Sequence, residues 1–280
     1  MHTIEPVSAL QSVMLGWGFV GSDGVLHRDA LFREMSGDEE DLLADRSSSF
    51  VTRTKHIFFN CLQRLGTIED RKELLRAVEK LTSSDRMQVM LHLRRISLGD
   101  LYKMTVECER CHRESTKHID LSKVDVKHPE FPEKRIYEDS LPSGALAEWE
   151  VMCGSQEEIT SKIREYETST DSKHKRTNKD LEQSRISFAM WMRMISIDGH
   201  KFSRSFPTDV DGVPVVNMEE IAMIKRMPTR DRLWLRQRIE AVEAGPDLKF
   251  EYRCDNPDCK RLQTATLDIS QPEFFFPSVI

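Results

Sequence analysis

The stretch DLYKMTVECERCHRESTKHIDLS, residues 100–122, sets Cys108 and Cys111 between two runs that alternate in the manner of β-strands. A C-x-x-C pair on a hairpin turn supplies two of the four ligands of a tetrahedral zinc, and half a site holds the ion poorly. The chain repeats the arrangement near its other end. In DLKFEYRCDNPDCKRLQTATLDIS, residues 247–270, Cys254 and Cys259 again sit between two strand-like runs. Asp85-Arg86 lies 23 residues before Cys108, and Asp231-Arg232 lies 23 before Cys254. Asp120-Leu121-Ser122 begins nine residues after Cys111, and Asp268-Ile269-Ser270 nine after Cys259. Gly99 falls on Gly245 and Lys103 on Lys249 at the same offset. So many registers held at once read as an internal duplication.

A closed structural zinc site needs four ligands, and thiolates on two short turns supply them with little backbone strain. With one knuckle per half, the economical arrangement is a shared site. Cys108, Cys111, Cys254 and Cys259 would bind one structural zinc per chain and clasp the halves together. Two alternatives stay open: each knuckle recruits local ligands, His112 or His118 in the first, or both knuckles persist as metal-free β-turns. A redox role for the C-x-x-C is disfavoured because no thioredoxin-like βαβ pattern surrounds it. Cys61 and Cys153 lie outside the knuckles and read as small hydrophobes of the core.

Composition narrows the function classes. The 280 residues carry a formal net charge of -6 with both signs spread along the chain, so no broad positive field is available for phosphates. The run VMLGWGFVG, residues 13–21, has neither the length of a membrane span nor the basic lead of a signal peptide. The expectation is a protein of the cytosol that makes it, where thiols stay reduced and favour metal over disulfides. No phosphate loop, nucleophile elbow or H-E-x-x-H motif is present, so no catalytic residue, enzyme activity or small-molecule substrate is assigned.

Along the chain, residues 1–23 read as an N-terminal arm with aromatic anchors, 24–135 as a first helical repeat with its knuckle, and 136–280 as a second. Ser36 and Glu39 form a capping box at the first helix. Ile57, Phe58, Cys61, Leu62 and Leu65 recur at helical spacing, as do Phe188, Trp191, Met192 and Ile195 in the second copy. Helices are expected over 84–97, 218–225 and 229–244. Residues 168–183 form a polar insertion, and Phe274, Phe275 and Phe276 an aromatic tail that packs on its own domain or into a partner. The expected fold is α+β, mainly α, with two pseudo-equivalent helical repeats each ending in a β-hairpin cysteine knuckle.

Helices opening with REMSGDEEDLL, then NCLQRLG, then LHLRRISLGDLYKMTVECERC, resemble the T-even-like baseplate protein family of contractile phages. The likeness rests on Glu39-Glu40-Asp41-Leu42-Leu43, on Arg94 and Gly99-Asp100 before a strand, on the knuckle, and on Leu141-Pro142-Ser143-Gly144 leading into the second half. It covers most of residues 24–125 and, more faintly, 140–270. Two departures stand out: Gly245-Pro246 replaces Gly-Asp, and no glycine follows Cys111. The resemblance implies a bacteriophage baseplate hub component or hub assembly chaperone that acts through contacts with other tail proteins. It would be found in the host cytoplasm during assembly and in the virion tail baseplate if retained. The other reading, a zinc-ribbon nucleic-acid-binding protein, rests on the knuckle and on KHKRTNK, residues 173–179.

Overall fold

The computed structural model describes residues 10–45, 47–168, 184–203, 206–208, 215–269 and 274–275. β1 (Gln11–Val20) and β2 (Leu26–Phe32) form a hairpin, and α1 (Gly37–Ala44) and α2 (Phe50–Cys61) follow. β3 (Leu62–Leu65) returns to pair with β2. Then α3 (Arg71–Lys80) and α4 (Ser83–Leu98) lead into the knuckle hairpin of β4 (Leu101–Glu107) and β5 (Glu114–Asp120).

After the short β6 (Val126–Lys127) the order recurs. β7 (Ile136–Ser140) and β8 (Leu146–Glu150) form a hairpin, followed by α5 (Gly154–Thr168) and α6 (Arg185–Trp191). β9 (Met194–Ile197) pairs with β8, and β10 (His200–Lys201) extends the sheet. α7 (Met218–Arg226), α8 (Thr229–Val242) and β11 (Gly245–Pro246) precede the second knuckle hairpin, β12 (Lys249–Arg253) and β13 (Leu262–Thr266).

Local chemistry explains the boundaries. Asp70 caps α3 by accepting from the amides of Lys72 and Glu73, and Leu74, Ala77 and Val78 form its buried stripe. Thr82 caps α4 by accepting from Asp85, and Gly99 ends it at φ +83, a conformation that costs glycine little. At α1 the Glu39 carboxylate accepts from both the amide and the hydroxyl of Ser36, each at 2.9 Å, which is the reach-back half of the expected capping box.

The expectation of a mainly helical fold does not hold. Among the described residues eight helices make the chain 39% helical against 30% strand in five small sheets, a balanced α+β fold. Two of the missed strands show why. β1 carries Gly16 and Gly18 and slips register between Met14 and Phe19, so its alternation is broken and the segment resembles a loose arm. β3 follows α2 without an intervening loop, so Leu62 and Leu65 extend the helical spacing of Ile57, Phe58 and Cys61 although they lie in a strand. The same happens at Ile195, which belongs to β9 rather than to the helix of Phe188 and Trp191.

Two hydrophobic cores result, and each takes in aromatic residues from the far end of the chain. The first gathers Ile57, Phe58, Leu74, Val78, Leu93 and their neighbours, and it also holds Leu267, Ile269, Phe274 and Phe275. The second gathers Trp149, Phe188, Trp191, Ile221 and Leu235, and it holds Trp17 of β1. Of the aromatic tail, Phe274 and Phe275 are therefore core residues. Phe276, and the expected insertion from residue 169 onward, lie outside the described residues.

The halves are joined at several places. β11 pairs with β6, Gly245 opposite Lys127 and Pro246 opposite Val126. The start of α5 docks beside α4, with Ser83 donating to the Met152 carbonyl at 3.0 Å and Gly154 to that of Leu81 at 2.9 Å. Ion pairs cross there, Lys55 to Glu158 at 2.9 Å and Arg86 to Glu157 at 2.8 Å. A Cβ at Gly154 would lie 2.8 Å from Nη1 of Arg86 and 3.2 Å from the Glu79 carbonyl, so a larger residue there would push the Arg86 guanidinium aside.

Candidate metal centre

Each knuckle is a tight turn closing a two-stranded ladder. In the first, Cys108 donates its amide to the Arg113 carbonyl at 3.0 Å, and His112 donates back to Cys108 at 2.8 Å. In the second, Cys254 donates to Arg261 at 3.0 Å, and Cys259 and Lys260 donate to the Asn256 carbonyl. The residue after the second cysteine is left-handed in both, His112 at φ +54 and Lys260 at φ +45. The backbone there does what a glycine would do more cheaply.

The hairpins meet face to face. Tyr252 donates its hydroxyl to the Glu107 carbonyl at 3.1 Å, and Lys117 reaches the Arg253 carbonyl at 2.9 Å and Asp255 at 2.5 Å. Their contact brings Sγ of Cys108 to 3.8 Å from Cys259 and Sγ of Cys111 to 3.6 Å from Cys254. All four sulfurs lie within 4.8 Å of one another. A regular tetrahedron with zinc–sulfur bonds of about 2.3 Å has edges of about 3.8 Å, so the four sulfurs fit a metal ion of that size. All six cysteines are free thiols.

Further hydrogen bonds orient the sulfurs. Gln263 donates Nε2 to Sγ of Cys108 at 3.2 Å while its Oε1 accepts from the Glu109 amide at 2.9 Å. Asn256 donates its amide to Sγ of Cys254 at 3.5 Å. The Cys108 thiol is held down at about 6, chiefly by the amide of Cys111. Cys254 is pushed up to about 12: the Asn256 amide works to lower it, and burial and the neighbouring sulfurs prevail. Four thiols this close resist ionising together, and a bound cation would remove that resistance.

The four cysteines singled out from the sequence are thus together, and the two histidines considered as substitutes are not in the cluster. His112 is exposed, with Nδ1 2.7 Å from a carboxylate oxygen of Glu107. Cys61 is fully buried and its thiol is pushed up to about 12, above all by burial, whereas Cys153 is half-buried with Sγ 3.2 Å from the Ser155 hydroxyl. Sequence reasoning missed Gln263. The one signal was its place two residues after Arg261, on the face of LQTAT that turns inward beside a cysteine.

Two α+β halves, each ending in a cysteine knuckle, thus bring one four-cysteine cluster together, a donor set of the structural-metal class. A four-thiolate donor set leaves a metal no open position for substrate. The chain belongs to the family of T4 bacteriophage base plate proteins, whose profile matches residues 31–276. It is a structural baseplate protein whose partners are phage tail proteins. No curated protein and no solved structure matches the chain. Among the described residues no helix is long and apolar enough to cross a membrane.

Proposed function

We propose that the chain is a duplicated, non-enzymatic assembly element of the baseplate, with halves that open on the β1–β2 and β7–β8 hairpins and are joined at their knuckles by one zinc held by Cys108, Cys111, Cys254 and Cys259. The observation that carries the zinc is the set of four sulfurs within 4.8 Å, drawn equally from both ends of the chain. The duplication is supported by side chains as well as by element order. Arg86 donates to the Thr54 hydroxyl at 3.2 Å, and Arg232 donates to the Ser187 hydroxyl at 3.1 Å, the same contact made in each half by the Asp-Arg dipeptide.

When bound, the metal would supply a rigid cross-link between two hairpins that have little core of their own. Because pairing of β6 with β11 and docking of α5 also join the halves, the ion's effect is local: it fixes how the two knuckles present themselves to a neighbour. The experiment is elemental analysis of purified protein beside assembly of tails. One zinc per chain is expected, lost in Cys254→Ser, with helical circular dichroism retained and the yield of infectious particles reduced. No zinc in the parent protein, or two per chain, would refute the shared site. Normal tails built by the zinc-free variant would separate the metal from function.

A further inference from the structure

A cleft of 1320 Å³ runs between the halves, walled by α4, the segment 127–137, α6, α8 and the strands β11 and β12. Its lining holds seven Lys or Arg and four Asp or Glu, a cationic excess in a chain whose formal net charge is -6. Arg193 is paired with Glu243 and Arg238 with Asp139. Lys127, Arg185, Arg236 and Lys249 are exposed and have no ion-pair partner among the described residues. Two large apolar side chains stand open beside them, Phe131 at 50% and Ile186 at 51% exposure.

We propose that this cleft seats an acidic, extended segment of a neighbouring baseplate protein, its carboxylates on the unpaired cations and an apolar side chain between Phe131 and Ile186. The charge pattern favours a peptide over nucleic acid. A phosphate backbone carries a charge every 3.4 Å or so along each strand, and Glu130, Glu240 and Asp247 in the same lining would repel it. A polypeptide can place its carboxylates where the cations are and leave gaps elsewhere. Such complementarity steers encounter and sets register, and the open apolar pair supplies a site that a partner can desolvate. The inference rests on baseplate membership and not on the metal.

The test is carbodiimide cross-linking, which joins lysine amines to carboxylates at contact distance, applied to tails and tail intermediates and read by mass spectrometry. Links from Lys127 or Lys249 to Asp or Glu of another chain are expected. Arg185→Glu combined with Arg236→Glu should reduce those links at least tenfold relative to links from Lys72, which lies outside the cleft. Both arginines are exposed, and Ile186→Ser serves as a second variant that leaves every charge in place; it too should weaken the links. The proposal is overturned if Lys127 and Lys249 link only within their own chain, or if the charge-reversed protein links as the parent does. Salt-sensitive binding of the parent protein to DNA, lost in the double variant, would assign the cleft to nucleic acid instead.

Discussion

In the first half the buried Asp85 carboxylate accepts from the amides of Trp17 at 2.9 Å and Gly18 at 2.8 Å, tying α4 to a glycine-rich strand. In the second half Asp231, equally buried, accepts from the single amide of Ser143 in the turn between β7 and β8. The same residue in the same register thus pins each half's opening hairpin, at different points along it. The helix caps show a similar divergence. The amide before α1 is held by Glu39, and the amide of Cys153 before α5 is held by Gln156 at 2.9 Å. The comparison teaches that in both halves a buried or capping amide is met by a side-chain acceptor, a carboxylate at Asp85, Asp231 and Glu39 and a neutral amide at Gln156.

The turns make the point with backbone alone. Gly21 donates to Val25 and Gly24 to Gly21, at 2.9 and 3.0 Å, just as Leu141 donates to Ala145 and Gly144 to Leu141, both at 2.8 Å. Gly24 and Gly144 both have positive φ, +74 and +93. Cores diverge more. The first core takes Phe274 and Phe275, and the second takes Trp17, from the opposite end of the chain, so neither core is closed within its own half.

That exchange is the easiest relation to break. Trp17→Ala should destabilise the protein by about 3–5 kcal/mol, the range for losing a large buried aromatic, although Trp17 precedes the core it fills by more than a hundred residues. Hydrogen exchange should rise in α6 and α8 of the second half. If it rises only around β1, the aromatic is not holding the far core. Trp17→Phe should cost far less, because the indole Nε1 has no hydrogen-bond partner among the described residues.

The aspartates come next. Burial pushes the Asp85 carboxyl up, against the amides of Trp17 and Gly18 and the charge of Arg135. Asp85→Ala leaves those two amides buried without an acceptor and should cost about 3 kcal/mol, and Asp231→Ala, with one amide, about half as much. Equal losses in denaturant titrations would mean that the two sites are not read by their amide count.

The proposed metal site separates the knuckles. Gln263→Leu removes the donor to Cys108 and should lower metal affinity on the order of 10-fold, with a shift in the thiolate-to-cobalt charge-transfer band. Ser115, two residues after Arg113 as Gln263 is two after Arg261, makes no such bond to a sulfur, and Ser115→Ala should leave affinity and band in place. A Gln263→Leu protein with unchanged cobalt spectrum would remove Gln263 from the site.

The caps differ in pH. Burial works to raise the Glu39 carboxyl, but the Arg33 side chain and the amide and hydroxyl of Ser36 overcome it and hold it down at about 2, from an ordinary 4.5. A depressed carboxyl stabilises the fold above its unfolded value, and that contribution is lost as pH falls from 4.5 toward 2. Gln156 has no such titration. Acid should therefore loosen α1 in that window, and Glu39→Gln should flatten the dependence there while leaving unchanged the acid response of the start of α5, where burial works to raise the Glu158 carboxyl and its bond to Lys55 brings it below the ordinary value. An acid response of the α1 amide signals that Glu39→Gln leaves unchanged would contradict this.

Much of the site was legible in the sequence because its signal is local and chemical. A C-x-x-C turn between alternating runs specifies a thiolate knuckle, and its echo 146 residues later specifies a partner. Helix starts were legible for the same reason: Ser36 and Glu39 act within one turn, and Gly99 ends α4 by its own conformational freedom. Tertiary structure alone decided that β1 and β3 are strands, since a bulged strand with two glycines and a four-residue strand fused to a helix acquire their identity from the neighbour they pair with. It also decided which core receives Trp17 and which receives Phe274. Apolar spacing tells a side chain to be buried but carries no address, and the address is set by where the chain's ends are brought once the two halves have met.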